Sequence, residues 1–151
     1  MDIKEVIETV NDLIETCKDG EYGFHRCAER AEAPGLKQVL AQRAEVCQKA
    51  AGELQTIISQ LGGEAETGGT VLGAVHRGWV SMRDVLSGNS DLSVLEECER
   101  GEDSALERYR NALEKALPPH VRNIVERQYE GAKCNHNQIR VLRNDARSEK
   151  A

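Results

Sequence analysis

The chain is 151 residues long, carries a net charge of −6, and has only 3% aromatic residues. That length suits one domain, spanning 1–151, able to bury most of its unfolded surface. The acidic balance disfavours nucleic acid or an anionic membrane as a partner, since both need a basic field.

Ala, Leu, Glu, Gln, Arg and Lys fill long stretches. These residues lose least on entering a helix, so the class is all-α. The N-terminus places Asp2, Lys4 and Glu5 where a signal peptide needs an apolar run, and no segment approaches the roughly 20 apolar residues of a membrane span. A soluble, cytoplasmic protein is expected. Cys17, Cys27, Cys47, Cys98 and Cys134 are odd in number and form no Cys-x-x-Cys pair, so reduced, packed thiols are expected rather than a disulfide framework or a zinc knuckle.

Over about 2–31, apolar residues at Ile3, Val6, Ile7, Val10, Leu13, Ile14, Cys17, Phe24 and Ala28 keep the rhythm of a core-facing helical stripe. Continuing that rhythm lands on Glu21, and an ionisable group inside an apolar stripe must be paired, protonated or bound to something. Gly20 and Gly23 flank it, which implies either a close neighbour or a break in the helix. Ala33-Pro34-Gly35 reads as a turn. A second helix over about 34–61 follows, with Leu36, Val39, Leu40, Cys47, Leu54 and Ile58 apolar and Arg43 the polar intruder. If the two helices form an antiparallel hairpin, Arg43 lies near the level of Glu21, and a buried Glu21–Arg43 ion pair is expected.

The glycine-rich stretch 62–69 is the one clear linker. A shorter crossover helix is expected over about 70–86, with His76 and Trp79 one turn apart; they could line a pocket, although Trp79 is better read as the anchor of this helix on the bundle. Ser90 or Asp91 can cap the next helix, over about 91–116, whose stripe passes through Glu102. After Leu117-Pro118-Pro119 the last helix runs to about 147, with Gln128 and Asn135 in its inward stripe and Asn135 near the level of Glu102. His136, Arg140, Arg143 and Arg147 share one side, which suits the negative end of a helix dipole and reads as a solvated face.

The two halves are related. Leu95-Glu96-Glu97-Cys98-Glu99-Arg100-Gly101-Glu102 echoes Ile14-Glu15-Thr16-Cys17-Lys18-Asp19-Gly20-Glu21. Two hairpins joined by a long crossover describe a ferritin-like four-helix bundle. In its di-iron members two helices give one Glu each and the other two give Glu-x-x-His. Glu21 and Glu102 match the single-Glu positions, but no Glu-x-x-His stands on the second or fourth helix, so an intact di-iron centre is not expected. Cys17, Glu21 and His25 form a column that could hold a metal together with Glu102, Glu99 or Cys98.

The strings Asp19-Gly20-Glu21-Tyr22-Gly23-Phe24, Glu53-Leu54-Gln55, His76-Arg77-Gly78-Trp79 and Glu99-Arg100-Gly101-Glu102-Asp103 resemble those of an uncharacterised bacterial family of ferritin-like four-helix-bundle proteins, a domain of unknown function. The resemblance covers nearly the whole chain. It implies the ferritin-like fold and a cytoplasmic bacterial protein, with no established activity.

Two functional readings follow. The preferred one is a non-catalytic, self-associating homo-oligomeric bundle without a cofactor, whose polar layer of Glu21, Arg43, Glu102, Gln128 and Asn135 fixes helix register. The alternative is an iron- or manganese-binding protein with a redox or stress-related role, using Glu21, His25 and Glu102, with Glu99 or Cys98. Arg43 separates them, because a cation in the central layer repels a divalent metal.

Overall fold

The computed structural model describes residues 1–65, 79 and 90–150, and every described element is a helix. Helix α1 spans Ile3–Arg30 and α2 spans Pro34–Gln60; α3 spans Asp91–Leu113 and α4 spans Pro119–Lys150. Apart from Trp79, the expected crossover helix over 70–86, His76 included, lies outside the described residues.

The helix ends have local causes. Asp2 caps α1 by accepting from the Glu5 N–H at 2.8 Å, and Pro34 occupies the first turn of α2, where a missing N–H costs nothing. At the other end of α2, Gly62 has φ 78°, its N–H bonds to the Ser59 carbonyl at 3.1 Å, and the Gly63 N–H reaches the Ile58 carbonyl at 3.0 Å. This is a Schellman stop, which needs a residue free to adopt a left-handed conformation. Of the two possible caps for α3, Ser90 is the one used, accepting from the Ser93 N–H at 3.2 Å. Asp91 instead accepts from the Glu32 and Ala33 N–H groups at 2.7 and 3.2 Å, pinning the α1–α2 turn to the start of α3. Helix α3 stops short of the expected 116. Arg122 at the start of α4 donates to its last carbonyl, that of Leu113, at 3.0 Å.

The apolar stripes read from the sequence supply the core, except that Ile3 at the start of α1 is 61% exposed and Ile7, Ala28 and Val39 are half-buried. One cluster, at the end holding the start of α1, gathers Val10, Leu13, Leu54, Ile58, Val121 and Val125; the other gathers Phe24, Leu40, Val94, Ile139 and Trp79. Helix α1 packs along both α2 and α3, and α3 packs along α4, whereas α2 and α4 scarcely touch. Among the described residues the bundle therefore has three closed seams and one, between α2 and α4, that stays open at the level between the two clusters.

Candidate functional site

The side chains at that level are small where helices must approach and polar where the seam opens. Trp79, only 4% exposed, is wedged between α1 and α3, its ring edge-on to Phe24 with centroids 4.9 Å apart. A Cβ at Gly23 or Gly101 would overlap the indole. The glycines that interrupt both stripes are thus explained by close approach rather than by a break. Gly20 and Gly101 match in the internal repeat yet serve different neighbours, since at Gly20 the space is filled by Cys47 Sγ, 2.9 Å from where a Cβ would stand. Trp79 is thus packed against both α1 and α3.

Glu102 sits at the centre, 2% exposed. Arg43 Nη2 lies 3.6 Å from its Oε2, and Asn135 donates to its Oε1. The expected Glu21–Arg43 pair is corrected accordingly: the guanidinium goes to the carboxylate on α3. The physical reason is burial, because a cation in the bundle stabilises most the carboxylate most deprived of water. Burial raises the pKa of Glu102, with Arg43 and the Asn135 hydrogen bond pulling the other way. Glu21 is only half-buried, and its Oε2 is enclosed without a hydrogen-bond partner.

The proposed metal column does not converge. Residues four apart on a helix of 3.6 residues per turn drift by about 40° per step, so a column of three fans outward. Cys17 is buried, Glu21 half-buried, and His25 points to solvent with its side chain 65% exposed, 3.4 Å from Glu29. Glu99 turns away from Glu102 and pairs with Arg143. Its carboxylate, that of Asp103 and the His136 imidazole have ligand atoms within 4.8 Å of one another on the outer α3–α4 groove. His136 is 12% exposed and its Nε2 lies 2.6 Å from Asp103, while Arg140 reaches Nδ1 at 3.4 Å. The basic side of α4 is divided: His136 and Arg143 lie against Asp103 and Glu99 of α3, whereas Arg140 and Arg147, the latter 4.0 Å from Glu96, stay exposed as expected.

Gln128 belongs to a second polar set two turns along α4 from Asn135. Tyr109 Oη donates to Gln128 Oε1 at 2.8 Å, and Gln128 Nε2 donates to Glu53 Oε1 at 2.8 Å and to the Ala50 carbonyl at 3.3 Å. Since the Tyr109 proton is committed to Gln128, Cys17 is the donor in its 3.2 Å contact with Tyr109. Burial pushes the Cys17 thiol up to about 11 and the Cys47 thiol up to about 12. These are packed thiols, not nucleophiles. Tyr109 and Glu53 join Gln128 in this set although no motif links them; an inward tyrosine one helix from an inward glutamine is the signal the sequence offers.

Between the two polar sets a cavity of about 360 Å³ opens along the α2–α4 seam, with Trp79, Cys17 and Gly101 at its back and Arg43, Glu53 and Gln128 on its sides.

Residues 5–115 match the model of a domain of unknown function, DUF2383. The chain belongs to that family. No curated protein matches it. Among solved structures it is similar to a conserved hypothetical protein of Mycobacterium tuberculosis, Rv2844, at TM-score 0.76 and 14% identity over 94% of this chain and 99% of that one. It is also similar to a mutant of Mycobacterium smegmatis Dps1, at TM-score 0.78 and 14% identity over 93% of this chain and 96% of that one. At such identity the likeness concerns the fold, which is a ferritin-like four-helix bundle. Among the described residues no helix is long and apolar enough to cross a membrane.

Proposed function

We propose that this DUF2383 protein is a non-catalytic, self-associating bundle in which a carboxylate–arginine layer stands where ferritin-like relatives would coordinate a di-metal centre. The observation that carries the reading is that both oxygens of Glu102 face protein donors, Arg43 on one and Asn135 on the other. A divalent cation there would have to displace a guanidinium held 3.6 Å away, against like-charge repulsion. The histidines of α1 and α4 nearest that level, His25 and His136, are turned to Glu29 and Asp103. Self-association is tested by sedimentation equilibrium of the intact chain; a monomer at all concentrations would remove that part.

A second reading, iron or manganese binding, is favoured by the Glu99, Asp103 and His136 group, which has the oxygen and imidazole donors those metals take. Arg143 and Arg140 already occupy Glu99 and His136, which weighs against it. Elemental analysis of untagged protein, followed by anaerobic titration with ferrous iron, separates the readings. The register-layer reading expects well under one metal per chain. A stoichiometric metal lost in Glu21→Ala and Glu102→Ala would overturn it, and one lost only in His136→Ala would move function to the outer groove.

A further inference from the structure

The open α2–α4 seam has the size and chemistry of a ligand site. Its volume, about 360 Å³, lies within the usual range for small-molecule sites, and at ~30 Å³ per water-sized group it admits about a dozen non-hydrogen atoms. Its inner wall is apolar, formed by Phe24, Trp79, Ala105 and Ala132. Among the described residues its charged groups are Arg43, Lys49 and Arg127 against Glu53 and Glu102, so the wall carries one net positive charge in a chain whose net charge is −6. Glu53 is held by Arg127 and Gln128, and Lys49 has no ion pair among the described residues.

Arg43 is the group with capacity to spare. Its side chain is 14% exposed and lies in the cavity wall, its contact with Glu102 is 3.6 Å, and its Nε is buried without a hydrogen-bond partner. A charge-assisted hydrogen bond runs at about 2.7–2.9 Å, so the guanidinium is attracted to Glu102 without being saturated by it. The Phe24 ring at 5.8 Å supplies a cation–π contact and no acceptor. Five donors in a planar fork beside an apolar cavity match one ligand chemistry better than any other.

We infer that the α2–α4 cavity binds a small monocarboxylate with an apolar body, its carboxylate on Arg43 and its body against Trp79 and Phe24. Lys49 at the mouth draws the anion in, and the small residues Ala105, Gly131 and Ala132 leave room for the body. This goes beyond the register role of the polar layer and does not depend on self-association.

Trp79 is the single tryptophan of the chain, so its fluorescence reports the cavity directly. Metal-free full-length protein is titrated with octanoate and 1-naphthoate, and with 1-octanol and octylamine as head-group controls. Saturable quenching by the carboxylates, with one site per chain and affinity at least about tenfold above either control, is expected from one charge-assisted hydrogen bond. Arg43→Gln should lower carboxylate affinity by about the same factor and leave octanol unchanged. Gly131→Phe, whose side chain starts in open space at the cleft, should block carboxylates and octanol alike while the fold is retained. Equal affinity for all head groups, preference for the amine, or no saturable binding by either carboxylate would overturn the inference, and these comparisons need only the wild-type protein.

Discussion

Gly101→Ala and Gly131→Ala are the same chemical change on helix-interior residues, and the structure predicts opposite outcomes. Replacing a helical glycine with alanine contributes about 0.5–1 kcal/mol through the entropy of the unfolded chain. At Gly131 nothing lies within 4 Å of the new Cβ, so that gain should appear in full, raising Tm by roughly 1–4 °C for a chain of this size. At Gly101 the new methyl overlaps the indole of Trp79, which is 4% exposed and backed by Phe24, so it cannot withdraw without opening the bundle. Overpacking of that kind costs about 1–3 kcal/mol, and full expulsion of the ring would approach the ~3–5 kcal/mol of deleting a buried tryptophan. After the propensity gain, a net loss of about 1–3 kcal/mol and a fall in Tm of roughly 3–10 °C are expected. Thermal melts by circular dichroism measure the stability, and Trp79 emission, shifted to the red in Gly101→Ala alone, reports the ring. Equal melting temperatures for the two variants would refute the account of why glycine stands at 101.

Arg43→Met should cost about 3 kcal/mol, the lower end of the range for stranding a buried charge because Arg43 retains some exposure, and pairing it with Glu102→Leu should recover most of the loss; additive melts would show that the two groups do not interact. Because burial holds the Glu102 pKa above its ordinary value of 4.5, the native state keeps a proton that the unfolded chain has released. Its contribution to stability therefore declines as pH rises from about 4.5 through the raised pKa, and Glu102→Gln should flatten that decline in denaturant titrations across pH 4–8. One thiol per chain, the exposed Cys134, should react quickly with a disulfide reagent at pH 8, while the four buried thiols react at the rate of unfolding. Two or more fast thiols, abolished by Cys17→Ser or Cys47→Ser, would show that the cavity admits the reagent to its wall.

The helices were legible because their stripes keep a 3.6-residue period, and Pro34, Gly62 and Ser90 mark ends by known stereochemistry. Legible too was that Glu102 and Asn135 share a level, since both follow from counting turns away from the 117–119 link. The partner of Arg43 was not. The repeat makes Glu21 and Glu102 equivalent in sequence, but their burial depends on how the hairpins are rotated about their axes: the Trp79 ring fills the space at Gly101, beside Glu102, whereas Cys47 fills it at the matching Gly20, beside Glu21. The pairing of Arg143 with Glu99 and of His136 with Asp103 was hidden for a related reason. A basic row and an acidic row are visible separately, and only the relative register of α3 and α4 aligns them. The cavity lay beyond sequence reasoning altogether, because it is a property of a seam that fails to close.

The central claim is that a guanidinium, and not a metal ion, faces the buried carboxylate in mid-bundle. A crystal structure of the full chain grown with excess manganese, with data collected for anomalous scattering, tests it most directly. The account predicts the Arg43 guanidinium against Glu102 Oε2 and no anomalous peak at that level; a manganese peak bridging Glu21 and Glu102 with Arg43 swung aside would contradict it.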